Sequence, residues 1–75
     1  MNRFIERIVC DPKICSGKPC IKETRIPVHI ILDLLAAGED FTGVKKAYPD
    51  ITDEDIRACL TYASILADEE AGVTL

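Results

Sequence analysis

Tryptophan is absent from these 75 residues, histidine and methionine occur once each, and the aromatics are two tyrosines and two phenylalanines. A core built from this inventory has to be aliphatic. A single histidine, His29, leaves little material for a histidine-based metal site or a Ser-His-Asp arrangement. No run approaches the 18 or so apolar residues of a membrane span. The opening stretch MNRFIERIVC has only broken apolar pairs, with Glu6 among them. It lacks the continuous apolar region and small-residue cleavage site of a secretory signal. A cytoplasmic protein with no membrane partner is therefore expected. The chain is also short: a domain of this size buries only about 60–65% of the surface its unfolded form exposes. Such domains usually lean on disulfides, a metal, very regular packing or a second subunit.

Cysteine is better represented, with four copies. Structural zinc sites normally pair two short Cys knuckles. Here Cys10-x4-Cys15-x4-Cys20 is accompanied only by a distant Cys59 and one histidine. In a reducing compartment the ordinary role of cysteine is a small buried apolar side chain. Structural thiols are the expectation, with a metal clip or a regulated disulfide as the alternatives, and no cofactor is expected. The net charge of −4 hides a split. Residues 1–25 carry six basic and three acidic side chains, whereas residues 26–75 carry three basic and ten acidic. A basic arm on an acidic body is the resulting pattern.

Residues 4–10, FIERIVC, and 20–26, CIKETRI, read as two short extended pieces, and DPKICSGKP between them makes a loose hairpin. Asp11-Pro12 starts that connection, Gly17 offers a positive φ, and Pro19 removes a backbone donor. PVHIILDLLAAG predicts a helix over 27–37, with Pro27 at its first position and Gly38 just past its end. Val28, Ile30, Ile31, Leu32, Leu34 and Leu35 cover nearly its whole circumference, leaving His29 and Asp33 as a polar strip. A helix so apolar in so small a domain predicts contact with a partner. A second helix is expected at 41–48, with Asp40 as N-cap and Phe41, Val44, Ala47 and Tyr48 on one face. A third is expected at 53–70, where Thr52 caps the run Asp53-Glu54-Asp55 and Asp55 stands in the capping-box position. Its main stripe is Ile56, Cys59, Leu60, Ala63, Leu66 and Ala67, with Ala58, Tyr62 and Ile65 beside it, and Gly72 ends it. The whole is one domain, with 1–26 as the arm.

Asp11-Pro12, Gly17-Lys18-Pro19, Thr24-Arg25-Ile26-Pro27-Val28 and Tyr48-Pro49-Asp50 give the chain a further significance. Together with the helix after Asp50, they resemble the small bacterial and archaeal proteins of domain-of-unknown-function family 433. Glu23 stands where that family usually carries a glycine. The resemblance implies a mainly α fold, a three-helix homeodomain-like helix-turn-helix bundle preceded by a short β-hairpin-like arm. It also implies an antitoxin role, directed at a toxin resembling a PIN-domain ribonuclease.

Three classes of function compete. In a DNA reader the start of the third helix would meet base edges, which places Thr52 and Arg57 in the groove. Asp53, Glu54 and Asp55 there oppose the phosphates, so DNA binding would be weak and would lean on Lys18, Lys22 and Arg25 of the arm. A protein-binding module fits the surplus apolar surface. A homodimer is expected, with Ile30, Leu34, Tyr62 and Ile65 as interface candidates. A PIN-like toxin, whose metal is ringed by carboxylates, would be met by Lys22, Arg25 or Arg57. Solvated arm residues are the bland alternative for Lys22 and Arg25. The enzyme class fails on inventory. His29 and Asp33, four residues apart, read as a surface polar pair. Ser16-Gly17-Lys18 lacks the first glycine of a phosphate loop and is followed by Pro19. Neither a catalytic group nor a small-molecule substrate is expected.

Overall fold

The computed structural model describes residues 3–69. The segment expected to be extended from Phe4 instead begins as 3-10 helix, Arg3–Arg7, and only Ile8–Val9 forms a strand, β1. The coil has a long-range cause. It brings the Arg7 guanidinium to 3.0 Å from the Asp55 carboxylate, 48 residues away.

The second extended piece is also shorter than expected. Strand β2 is Cys20–Ile21, and the chain then turns sharply into β3, Ile26–Pro27. The arm is thus a three-stranded antiparallel sheet in the order β1-β2-β3, where a two-stranded hairpin was expected. Ile21 faces Ile8 on one side and Ile26 on the other, and Cys20 faces Val9 and Pro27. Both residues of the central strand are fully buried. Thr24 makes the turn: its hydroxyl donates to the Ile21 carbonyl at 2.9 Å and accepts from the Ile26 amide at 3.1 Å. Pro27 sits in the edge strand, where a missing N–H is tolerated, and the Val28 amide supplies the next bond, to the Pro19 carbonyl.

Glu23 and Arg25 pass through this turn with φ of +70° and +59°. An L-residue there costs roughly 1–2 kcal/mol relative to right-handed backbone. The turn is therefore strained at Glu23. Glu23→Gly should raise stability by about 0.5–1 kcal/mol. Thermal melting checks this, and an unchanged or lower midpoint would place no strain at Glu23.

Helix α1 spans Val28–Ala36 and ends in Gly38 with φ +103°, the Gly38 and Glu39 amides donating to the carbonyls of Leu35 and Leu34. That pair of bonds closes a Schellman motif. Helix α2, Phe41–Ala47, is capped by the Asp40 carboxylate, which accepts from the Gly43 amide at 2.8 Å. Val44 is buried, Phe41 and Tyr48 are half-buried, and Ala47, expected on the same face, is exposed. Helix α3 spans Asp53–Glu69. Its expected last residue, Glu70, and the Gly72 stop lie outside the described residues.

The core is aliphatic: Ile21, Val28, Ile31, Val44, Ile51, Ile56 and Cys59. Helix α3 contributes to it only through its first half. Leu60 and Leu66, expected in the main buried stripe, are 42% and 43% exposed, and Ala67 is exposed as well. Leu60 lies next to the buried Ala58 and Cys59, and Leu66 borders a hollow shared with Val28 and Leu32 of α1. No helix among the described residues is long and apolar enough to cross a membrane.

Candidate partner-binding surfaces

Three surfaces stand out, and the arm borders all of them. The first is the β2–β3 turn. It presents Lys22 and Arg25 to solvent beside a hollow of about 520 Å³ floored by Val9, Ile14, Cys20 and Ile21. The Cys15 thiol donates to the Arg25 carbonyl at 3.1 Å and ties this turn to the opposite loop. That loop is the stretch CSGKPC, and it is a turn of unusual hand. Cys15, Ser16 and Gly17 have φ of +51°, +56° and +82°, and the Lys18 amide closes it onto the Cys15 carbonyl at 3.0 Å.

The second surface lies where the N-terminal coil meets α3. Phe4, Glu6, Arg7, Lys22, Glu23 and Glu54 surround a polar hollow of about 550 Å³ with Asp55 at its wall. Asp55 is only 6% exposed and is fully engaged. Besides Arg7, its carboxylate accepts from the Thr52 amide at 3.0 Å, while the Thr52 hydroxyl accepts from the Asp55 amide at 3.2 Å. This is a reciprocal capping box with aspartate in the glutamate's place.

The third surface is an apolar groove of about 590 Å³ between α1 and α3, walled by Val28, Leu32, Tyr62, Ala63 and Leu66, with Lys18 and His29 at its rim. From Ala58 to Ala67 helix α3 contains no charged residue, yet Leu60, Ile65 and Leu66 are each more than 40% exposed. The cores of protein interfaces are depleted of charge in this way.

The structure divides the residues singled out from the sequence. Lys22 and Arg25 come together on the turn, while Lys18 belongs to the apolar groove. Thr52 is occupied as the α3 cap. Arg57 lies over the Phe41 ring, 5.7 Å from its centroid, a cation–π contact. Of the interface candidates, Leu34 and Tyr62 pack against the core, Ile30 is half-buried, and Ile65 is exposed. His29 Nδ1 lies 3.6 Å from the Asp33 carboxylate on the solvent side of α1. Reasoning from sequence missed Arg7, whose partner is too distant in the chain to be seen. It also missed Lys45, which pairs with Asp53 at 2.7 Å across the α2–α3 corner.

The thiols differ in burial. Burial chiefly pushes the Cys59 thiol up to about 12, with help from the Asp55 carboxylate. Burial likewise raises Cys20, assisted by its contact with Cys15. Neither is a ready nucleophile at neutral pH. All four cysteines are free, and among the described residues no three His, Cys, Asp or Glu side chains converge as metal ligands.

A mainly α domain with a short strand arm, a basic turn and an apolar groove is thus defined. The chain belongs to the DUF433 family of proteins of unknown function, whose profile matches residues 8–63. The fold is similar to that of a DUF433 member from Anabaena variabilis, with a TM-score of 0.75 and 28% identity over 84% of this chain and 62% of that one. The uncharacterized protein y4eO of Sinorhizobium fredii is 33% identical over 58 residues, 77% of this chain but 26% of its own length. The chain therefore spans about a quarter of that relative.

Proposed function

We propose that the protein is a non-catalytic binding module, an antitoxin that docks onto and neutralises a PIN-like ribonuclease. The nature of the partner follows from the family resemblance. The observation that carries the binding role is the charge-free stretch of α3 with exposed Leu60, Ile65 and Leu66, the last of which lines the α1–α3 groove. Burying such a surface against a partner gives a complex its lifetime, and the cationic Lys22–Arg25 turn would steer association toward an acidic metal site. Co-purification with the product of the neighbouring gene, followed by its ribonuclease activity with and without this protein, tests the reading. Stable association with loss of nuclease activity is expected. No association, or association with undiminished activity, would overturn it.

DNA binding through a helix-turn-helix formed by α2 and α3 is the second reading. Asp53 and Glu54 lead α3 with the wrong sign for phosphates, Lys45 is paired with Asp53, and Arg57 rests on Phe41. Any affinity would fall on the arm. Replacing Lys18, Lys22 and Arg25 by alanine should abolish a promoter-DNA shift and flatten its salt dependence. Binding that survives this triple change but loses sequence preference with Arg57→Ala would make α3 the reader. A homodimer through Ile30, Leu34, Tyr62 and Ile65 is a competing use of the apolar surface, which sedimentation of the protein alone would reveal.

A further inference from the structure

The α1–α3 groove has a sign as well as a shape. Val28 and Leu32 line it from α1, and the pairs Tyr62–Leu66 and Ala63–Ala67 line it from α3. Within each pair the residues are four apart, so both walls are rows of the kind that packed helices interdigitate. At 1.5 Å per residue each wall runs for about 6–8 Å, the reach of one to two turns of an opposing helix. The chain carries a net charge of −4, yet among the described residues no carboxylate lines the groove. Its basic groups, Lys18 and His29, are both exposed at the rim. His29 meets Asp33, which stands outside the lining. Lys18 enters no ion pair among the described residues. The groove is thus an apolar trough with a cationic edge on an acidic protein.

We propose that the groove receives an amphipathic helix of a partner protein, one whose apolar stripe is bordered by carboxylates. The inference deepens the binding role proposed above and rests on it for the use of this surface, but it does not require the partner to be a nuclease. Apolar side chains at i and i+3 or i+4 of the incoming helix fall between the two walls and cover Leu32 and Leu66. A glutamate or aspartate beside that stripe meets the Lys18 ammonium and His29 at the rim, so that opposite charges fix the register. A lysine there sets like charges together. An extended strand fits less well, because its side chains alternate at period two whereas these walls repeat at four. A second copy of this chain also offers less. Its own exposed apolar stretch on α3, from Ala58 to Ala67, has no carboxylate to give the rim.

Two synthetic helical peptides test this, sharing one leucine stripe at i, i+4 and i+7 and flanked by glutamate in one and lysine in the other. Each is titrated into the full chain at physiological salt and followed by amide chemical shifts. Screening over about 8 Å then leaves only the charges near the contact to decide the preference. The glutamate peptide should move the amides of residues 18, 28–32 and 62–67 and bind about five- to tenfold tighter than the lysine peptide. Lys18→Glu, at an exposed position outside any described ion pair, should keep the melting temperature and remove or invert that preference. Leu66→Asp should weaken both peptides. Unmoved groove amides, equal affinity for the two peptides, or a preference that survives Lys18→Glu overturns the proposal. A dimer in sedimentation that the glutamate peptide fails to dissociate makes a second copy the occupant and overturns it as well. Carbodiimide coupling in the complex with the product of the neighbouring gene should join the Lys18 amine to a carboxylate on an amphipathic helix. If that product associates while the groove amides stay unmoved, the binding role stands and this proposal fails. If the glutamate peptide behaves as expected but that product does not associate, the preference of the groove stands and the antitoxin reading fails.

Discussion

Asp55→Ala is expected to destabilise the domain by about 2–4 kcal/mol, the range for stripping a buried, multiply bonded carboxylate from its partners. For a domain of this size that corresponds to a fall of roughly 10–20 °C in melting temperature. The side chain is almost wholly buried, and it serves two clients at once, the Arg7 guanidinium and the Thr52 amide. Removal leaves the Thr52 amide without its partner at the start of α3 and frees the N-terminal coil from the helix it packs on. Arg7→Ala should cost less, because the Arg7 side chain is 44% exposed and retains water as a partner. Thr52→Ala should cost about 1 kcal/mol, a typical loss for an N-cap. Because both partners meet in one carboxylate, the Arg7 and Asp55 substitutions should be non-additive in a double-mutant cycle. A melting shift below about 4 °C for Asp55→Ala, the size expected of 1 kcal/mol or less, would refute its structural role.

Leu66→Asp and Arg25→Glu should separate the two contributions to partner binding. Leu66 is 43% exposed beyond the core, so aspartate there leaves the fold alone but buries a charge in any complex that uses the groove. The expected loss is about a hundredfold or more in affinity, mainly through faster dissociation. Arg25→Glu reverses charge on the exposed turn. It should cost about tenfold to a hundredfold and show most of that loss in the association rate at low salt. Asp68→Ala, on the solvent side of the last described turns, is the control and should change little. Surface plasmon resonance against the product of the neighbouring gene reads both rates. Full affinity in Leu66→Asp would move the interface away from the α1–α3 groove.

Features with local causes were readable from the chain. Asp40 caps α2 through an amide three residues on, Gly38 turns the end of α1, and Thr52 and Asp55 satisfy each other across one helical turn. The mainly α character and the aliphatic core follow from the same short-range patterns. Three features depend on distant neighbours and stayed hidden. The third strand needs the Thr24 hydroxyl to fold CIKETRI back on itself, and a run of alternating residues gives no sign of that. The 3-10 coil at Arg3–Arg7 responds to a carboxylate 48 residues away. Periodicity identified an apolar stripe on α3 but not which of its residues are covered: Cys59 is buried while Leu60 and Leu66 are exposed. The candidate surfaces fared the same way: Lys22 and Arg25 converge, whereas Lys18 and Arg57 are drawn into unrelated surroundings.

The pairing of Arg7 with Asp55 also sets an order of events during synthesis. The N-terminal coil leaves the ribosome first, but its partner is added 48 residues later, about 2–10 s at ordinary rates of elongation. Through that interval the arm has neither the α3 surface nor the carboxylate that holds it, and Ile8 and Ile21 remain open to other apolar surfaces. A nascent chain halted before Asp55 should therefore be cut readily by protease within the arm, and one released just after α3 should resist.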